Sequence, residues 1–369
     1  METNEQEAPD EVVDDLVTQR RAAIARRSYV PILKGKQGEQ MALRDLAPAM
    51  RAAITPAFQL LPQRTDRQLG REFKQIAVAW AGVSTVLVDA SWVDPAGTSQ
   101  HPLIAASDAA LANRLPMTPM VSPSSNTAYL AAARAVVAAH GQGAAIRLPP
   151  VGWAVGGAGP LLNALLAALR LTAQDVDLIL DGGFIATDKT LDLYRAALTA
   201  GLPALPRRDS WRRVIVAAGS FPERLSDLPV GTLVRLPRHE WMLWNGLPAT
   251  SRPIGYGDYG VGYPNSTDEM KNPRAIPLWA QFRYTVEDSF LVAKAGDINK
   301  SGEGEFYRVA GLIAAAADFD GASFSTGDAF ISAMASGVGS PGNYSTWRRH
   351  GTVRHITKVV RLLATPVGP

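Results

Sequence analysis

"YVPILKGKQGE", residues 29–39, reads as an apolar strand that breaks into two lysines and then a glutamate. The run 29–34 is continuously apolar up to Lys34, and Glu39 stands where a helix begins. Strands without polar alternation are expected where both faces are covered, as in parallel sheets. The turn after the strand chooses between the two large parallel architectures. An open doubly wound sheet usually carries Gly-x-Gly-x-x-Gly at this place, and "KGKQGE" has the wrong spacing. A (β/α)8 barrel is therefore the first expectation and the doubly wound sheet the alternative.

The rest of the chain repeats the same rhythm. Apolar runs fall at 29–34, 54–61, 84–90, 117–122, 144–148, 176–182, 213–218 and 253–260, each bounded by Pro, Gly, Ser or Asp. Helical patterns lie between them, around 39–51, 66–81, 105–114, 124–140, 159–171, 190–201 and 239–247. Alternating strand and helix patterns argue for βα units. Eight of them fill roughly 230 residues, near the ~250 of a typical TIM-like barrel. "TLVRLP" (232–237) is a ninth strand candidate, read here as a connecting segment because "PRHEWMLW" resumes a helix directly. The barrel is expected over 28–263. Residues 1–27 read as an acidic tail with a short helix.

After Tyr263 the pattern changes. "RYTVEDSFLVAKAG" reads as a hairpin, "GEFYRVAGLIAAAA" as a helix, and "VRHITKVV" near the end as an edge strand. Residues 264–369 are expected to form a C-terminal α+β appendage packed on the barrel, since no linker separates the two.

Composition narrows the classes. The 369 residues are 47% hydrophobic and 19% charged, which suits a large core. No apolar run approaches the roughly 18 to 20 residues of a membrane span. The acidic start "METNEQEAPDEVVDD" lacks the basic and apolar regions of a secretory signal. A cytoplasmic, non-membrane protein is expected. With no cysteine, disulfides, thiolate metal sites and a cysteine nucleophile are excluded. The histidines, at 101, 140, 239, 350 and 355, show no zinc-ligand spacing. The net charge of +3 is too small to argue for nucleic acid.

In a barrel, functional groups collect at the C-terminal ends of the strands. Lys34 and Lys36 follow the first strand, Asp89 ends the third, Arg147 lies in the fifth, Asp181 in the sixth, and Asp258 and Tyr259 in the eighth. Lys34, Asp89, Asp181 and Asp258 are the catalytic candidates. Lys34, Lys36, Glu39, Arg147, Arg238 and Tyr259 are the ligand-binding candidates. One reading is an ion-pair network closing the barrel, because buried charges need partners. The other is a polar pocket for a small anionic ligand, such as a nucleotide or phosphorylated metabolite.

A lysine ending the first strand is also where one class of barrel enzymes attaches pyridoxal phosphate as a Schiff base. That reading ranks below lysines bound to Glu39 or Asp258. Asp89, Asp181 and Asp258 offer oxygen ligands for magnesium, but strand ends without histidine weaken a metal-dependent phosphodiesterase. No residue is assigned as a metal ligand. The basic stretch "WRRHGTVRHITK" places Arg348, Arg349, Arg354 and Lys358 beside Trp347 and Tyr344, a composition that suits nucleic acid. The plainer reading is an edge strand whose charges discourage mispairing.

Taken together, "YVPILKGKQGEQMAL", "ITPAFQL", "PRHEW", "GYGDYG", "SFSTGDAFI" and "HITKVV" resemble, in order, the phage beta protein family of satellite prophages and mobile elements. The resemblance covers Tyr29 to Val360. It implies a role in an anti-phage defence or toxin-control cassette, with a toxin or other cassette protein as partner. It supplies no catalytic residues. The competing class is a non-enzymatic antitoxin or immunity protein that acts by binding its partner.

Overall fold

The computed structural model describes residues 29–80, 82–154, 156–250, 253–265, 279–302 and 304–364. The acidic tail and short helix expected over 1–27 lie outside the described residues. The strands are β1 (Tyr29–Leu33), β2 (Ala57–Gln59), β3 (Val86–Asp89), β4 (Met117–Val121), β5 (Ala144–Leu148), β6 (Val176–Phe184), β7 (Arg213–Gly219), β8 (Leu233–Pro237), β9 (Gly255–Asp258), β10 (Trp279–Thr285) and β11 (Ser289–Asp297). The helices are α1 (Gln37–Asp45), α2 (Pro48–Ala52), α3 (Asp66–Trp80), α4 (Pro102–Ala112), α5 (Thr127–His140), α6 (Ala158–Leu169) and α7 (Asp188–Gly201). They continue with α8 (His239–Asn245), α9 (Ile298–Ser301), α10 (Gly304–Ala314), α11 (Thr326–Ala335) and α12 (Tyr344–Ala364).

The parallel strands close in the order β1-β2-β3-β4-β5-β6-β7-β9, and β9 pairs back onto β1. This is the TIM-like barrel that the apolar runs predict. Side-chain alternation along each strand sorts residues into two cores. Val30, Ile32, Ala57, Leu87, Met120, Ala145, Ile179, Ile215 and Ala217 fill the barrel interior. Their neighbours Tyr29, Leu33, Phe58, Val86, Val88, Ile146, Leu178, Leu180 and Val216 face the helical layer. Gly257 holds its place in the interior because a Cβ there would lie 2.8 Å from the Ala217 Cβ. At the lower end of the barrel Asp177 is clamped by Arg212 Nε at 2.8 Å and Arg213 Nη2 at 2.5 Å.

Two regions differ from the reading of the sequence. The segment 232–237, expected as a connection, contains a true strand, β8. It joins the three-stranded antiparallel sheet β10-β11-β8 and not the barrel. Its local pattern is half-exposed, so pairing with β11 and not a buried apolar face makes it a strand.

The second difference is "VRHITKVV", which is not an edge strand but part of α12. Its β-branched residues favour strands by propensity, yet helical spacing puts Val353, Ile356, Val359 and Val360 into the barrel's outer core. Near its start, Trp347 packs into a separate core under the small sheet, with Phe282, Phe306 and Met334. β8, from before Tyr263, joins the small sheet, and α12, from after it, packs beside α1 and α2. No described helix is long and apolar enough to cross a membrane.

Candidate functional site

The alternation that places Val30 and Ile32 inside the barrel carries Lys34 to its upper rim. Gln59, Asp89, Arg147, Asp181 and Tyr259 arrive the same way, each in register with an interior residue two positions earlier or packed among them. Arg147 is the centre of this layer. Its Nη1 donates to Asp89 Oδ2 at 3.0 Å, its Nε donates to Asp181 Oδ2, and its Nη2 donates to the Tyr259 hydroxyl. Tyr259 in turn donates to Asp181 Oδ2 at 2.6 Å. Burial works against the charge on Arg147, but Asp181, Tyr259 and Asp89 outweigh it and raise its proton affinity. Four groups from β3, β5, β6 and the end of β9 thus form one network. They were predicted to converge, and they do.

Lys34 lies on the other side of this opening. Its Nζ donates to the Pro264 carbonyl at 2.7 Å and stands 4.7 Å over the Trp92 ring. Gly35 then turns with φ +64, and Lys36 begins α1. Burial pushes the Lys34 ammonium down to about 8, with Arg147 and Arg348 adding to the effect and Glu39 opposing it. Lys36 is pushed down to about 7 by burial first, then by Arg348, Lys34 and Arg283. Arg283, on β10, is lowered to about 9 by burial and by Arg348 and so stays charged at neutral pH. Its Nη1 donates to the Val261 carbonyl at 2.7 Å. Arg348, on α12, reaches Glu39 at 3.5 Å. Lys34, Lys36, Arg283 and Arg348 thus form a basic arc within electrostatic reach of one another, beside the Asp89–Arg147–Asp181 network.

Glu39 is engaged by the turn itself. Its Oε2 accepts the backbone N–H of Lys34 at 2.9 Å and of Lys36 at 3.1 Å, capping α1. This answers why the first strand ends in two lysines and a glutamate: the glutamate fixes the turn that presents the lysines.

Asp258 and Arg238 are placed elsewhere. Asp258 follows Gly257, so it faces outward, away from the mouth. It accepts from the Tyr29 hydroxyl at 2.8 Å and Gly260 N–H at 3.0 Å, and pairs with His355 Nε2 at 2.8 Å. His355 Nδ1 is 2.9 Å from Thr285 Oγ1. Although burial opposes its charge, His355, Arg238 and the Gly260 N–H hold the Asp258 carboxyl below the usual carboxylate range. Arg238 donates to Glu240 Oε1 at 2.9 Å and to the carbonyls of Val286 and Glu287 at 3.1 and 2.9 Å. Asp258, His355 and Arg238 are all at most 1% exposed. They lock the small sheet and α12 onto the barrel.

The three aspartates consequently do not form the magnesium set considered from the sequence. Among the described residues, no group of three or more His, Asp or Glu is placed to hold a metal ion. The basic stretch is also engaged within the fold. Arg349 pairs with Asp45, Arg354 with Asp320 at 2.5 Å and Asp328 at 3.4 Å, and Lys358 with Asp320 at 3.0 Å. Arg348 is the one of the four that turns to the mouth.

Sequence reasoning passed over Gln59, Trp92 and Arg283, and read His355 only within the basic stretch. Gln59 is 2% exposed, and its Oε1 has no hydrogen-bond partner among the described residues. Its position at the end of the second apolar run was the available signal. Arg283 had none, because it reaches the mouth only through the small sheet.

A family model described as Beta protein matches residues 29–361. The chain belongs to the Beta protein family. The match runs from β1 into the last turn of α12, so the barrel, the small sheet and the closing helix lie within one family unit. No curated protein and no solved structure matches the chain.

Proposed function

We propose that this Beta-family barrel binds a small anionic ligand at its mouth, of the nucleotide or phosphorylated-metabolite class. It does so within a mobile-element cassette for phage defence or toxin control. The cassette role rests on the family resemblance. The ligand class rests on one observation: Lys34, Lys36, Arg283 and Arg348 gather at one rim, where burial first and then their mutual proximity lower the proton affinity of three of them. Neighbouring like charges disfavour one another, and an anion placed among them reverses the sign of that interaction. The buried amide of Gln59 and the Trp92 ring supply a polar and an aromatic contact for the remainder of the ligand.

In this account Lys34, Lys36, Arg283 and Arg348 hold the negative charge. Arg147 is not a ligand clamp, because Asp89, Asp181 and Tyr259 occupy it; it keeps the opposite wall rigid. The experiment is mass spectrometry of small molecules released from the purified protein, beside a cell-protection assay. A phosphorylated compound released from the wild type and absent from Lys36→Met/Arg283→Met, with loss of protection in that variant, supports the reading. Full protection by a folded variant that has lost the compound would favour neutralisation by contact with a partner protein.

A further inference from the structure

A second cavity lies outside the barrel, between α1 and α3, and no part of the mouth accounts for it. It encloses about 590 Å³, within the range of roughly 300 to 1,000 Å³ common for small-molecule sites. Gln37 and Arg44 line it from α1, Arg71, Glu72 and Gln75 from α3, and Arg64 from the loop before α3. Arg44 and Arg71 are exposed and make no ion pair among the described residues.

Glu72 is only 6% exposed. Its Oε2 accepts from Arg64 Nε at 2.7 Å, but Oε1 has no hydrogen-bond partner among the described residues. That oxygen sits against Gly35, which lines the same cavity: a Cβ on Gly35 would fall 1.7 Å from it. A buried carboxyl oxygen without a partner is costly, and burial raises the Glu72 carboxyl to about 7. Two arginines on facing helices, without counter-ions among the described residues, attract an anion. The glutamines add amide donors and acceptors.

We infer that the α1–α3 groove is a binding site, separate from the mouth, for a phosphate ester that also carries hydroxyl groups. Arg44 and Arg71 hold the phosphate, and a ligand hydroxyl donates to the Glu72 carboxylate. Gly35 joins the two regions, since the same residue borders the groove and separates Lys34 from Lys36.

The test is calorimetric titration of the full chain with ribose 5-phosphate, repeated with inorganic phosphate. Two variants separate the sites: Arg44→Gln/Arg71→Gln for the groove and Lys36→Met/Arg283→Met for the mouth. A ribose 5-phosphate site that survives the mouth variant and weakens at least tenfold in the groove variant is expected. Glu72→Gln should weaken ribose 5-phosphate more than inorganic phosphate. Binding untouched by Arg44→Gln/Arg71→Gln, or no saturable binding by the mouth variant, would overturn the groove site. The first of those results leaves the mouth reading standing. Conversely, groove binding with no second site lost in the mouth variant would count against the mouth alone.

Discussion

Replacing Arg147 by methionine removes the cation that joins three strands across the barrel opening. The side chain is 18% exposed and its partners Asp89 and Asp181 are 9% and 3% exposed. Taking one partner from a buried ion pair costs about 3 to 5 kcal/mol. Because Arg147 keeps some contact with water, the lower end applies, about 3 kcal/mol. For a chain of 369 residues, an unfolding entropy of about 2.1 cal/mol/K per residue gives about 0.8 kcal/mol/K. The expected drop in Tm is therefore about 4 °C, together with a lower urea midpoint at unchanged slope. Asp181→Asn in the same background should be non-additive by about 1 to 3 kcal/mol, since the two side chains touch. The assay is urea unfolding of the four proteins of that cycle, followed by circular dichroism. A change below about 0.5 kcal/mol for Arg147→Met, the size of an ordinary surface substitution, would refute the network. Strict additivity with Asp181→Asn would do so as well.

Three other outcomes are expected. Gly35→Ala forces a left-handed backbone onto alanine, costing about 1 to 2 kcal/mol, and drives its Cβ into Glu72; urea unfolding should show a loss of at least that size. Asp258→Asn breaks the buried pairing with His355 and should cost about 3 kcal/mol at neutral pH. Because the Asp258 carboxyl is held below its unfolded value, that contribution is present above about pH 4 and disappears as pH falls through the folded value. Wild type and variant stabilities should therefore converge only below about pH 4, read from urea midpoints across pH. Asp177 is also held below the usual carboxylate range: burial opposes its charge, but Arg212 and Arg213 outweigh it. Asp177→Asn should therefore unfold with a shallower pH dependence in acid than wild type, as measured by acid titration of near-ultraviolet dichroism.

The barrel was legible because its signal is local and repeated. Apolar runs such as "TVLVD" and "LILD" declare strands covered on both faces, and a polar residue at the fourth or fifth position lands on the interior rim by alternation. That is why Asp89, Arg147, Asp181 and Tyr259 could be brought together from the chain alone. Asp258 shows the limit of the same rule: it is one residue out of phase with Tyr259, and a single step in a strand changes the face. The parts that misled depend on distant partners. β8 becomes a strand only because β11 lies beside it, and "VRHITKVV" becomes helical only because the barrel needs a layer next to α1. Arg283 stands on β10 of the small sheet and Arg348 on α12, so half of the basic arc was invisible until the fold was complete.

The central claim is that Lys34, Lys36, Arg283 and Arg348 form an anion site, and the most direct measurement is sulfate affinity as a function of pH. Sulfate keeps its charge across the range, so the protein alone changes, and Arg44→Gln/Arg71→Gln serves as background to silence the groove. Lys36 loses its proton near about 7 and Lys34 near about 8, so two cations are present at about pH 6 and largely gone at about pH 9. Affinity should fall at least tenfold between those conditions, with proton uptake on binding near neutral pH, and Lys36→Met should flatten the lower part of the curve. An affinity that stays level from about pH 6 to about pH 9, or a curve unchanged by Lys36→Met, would contradict the account.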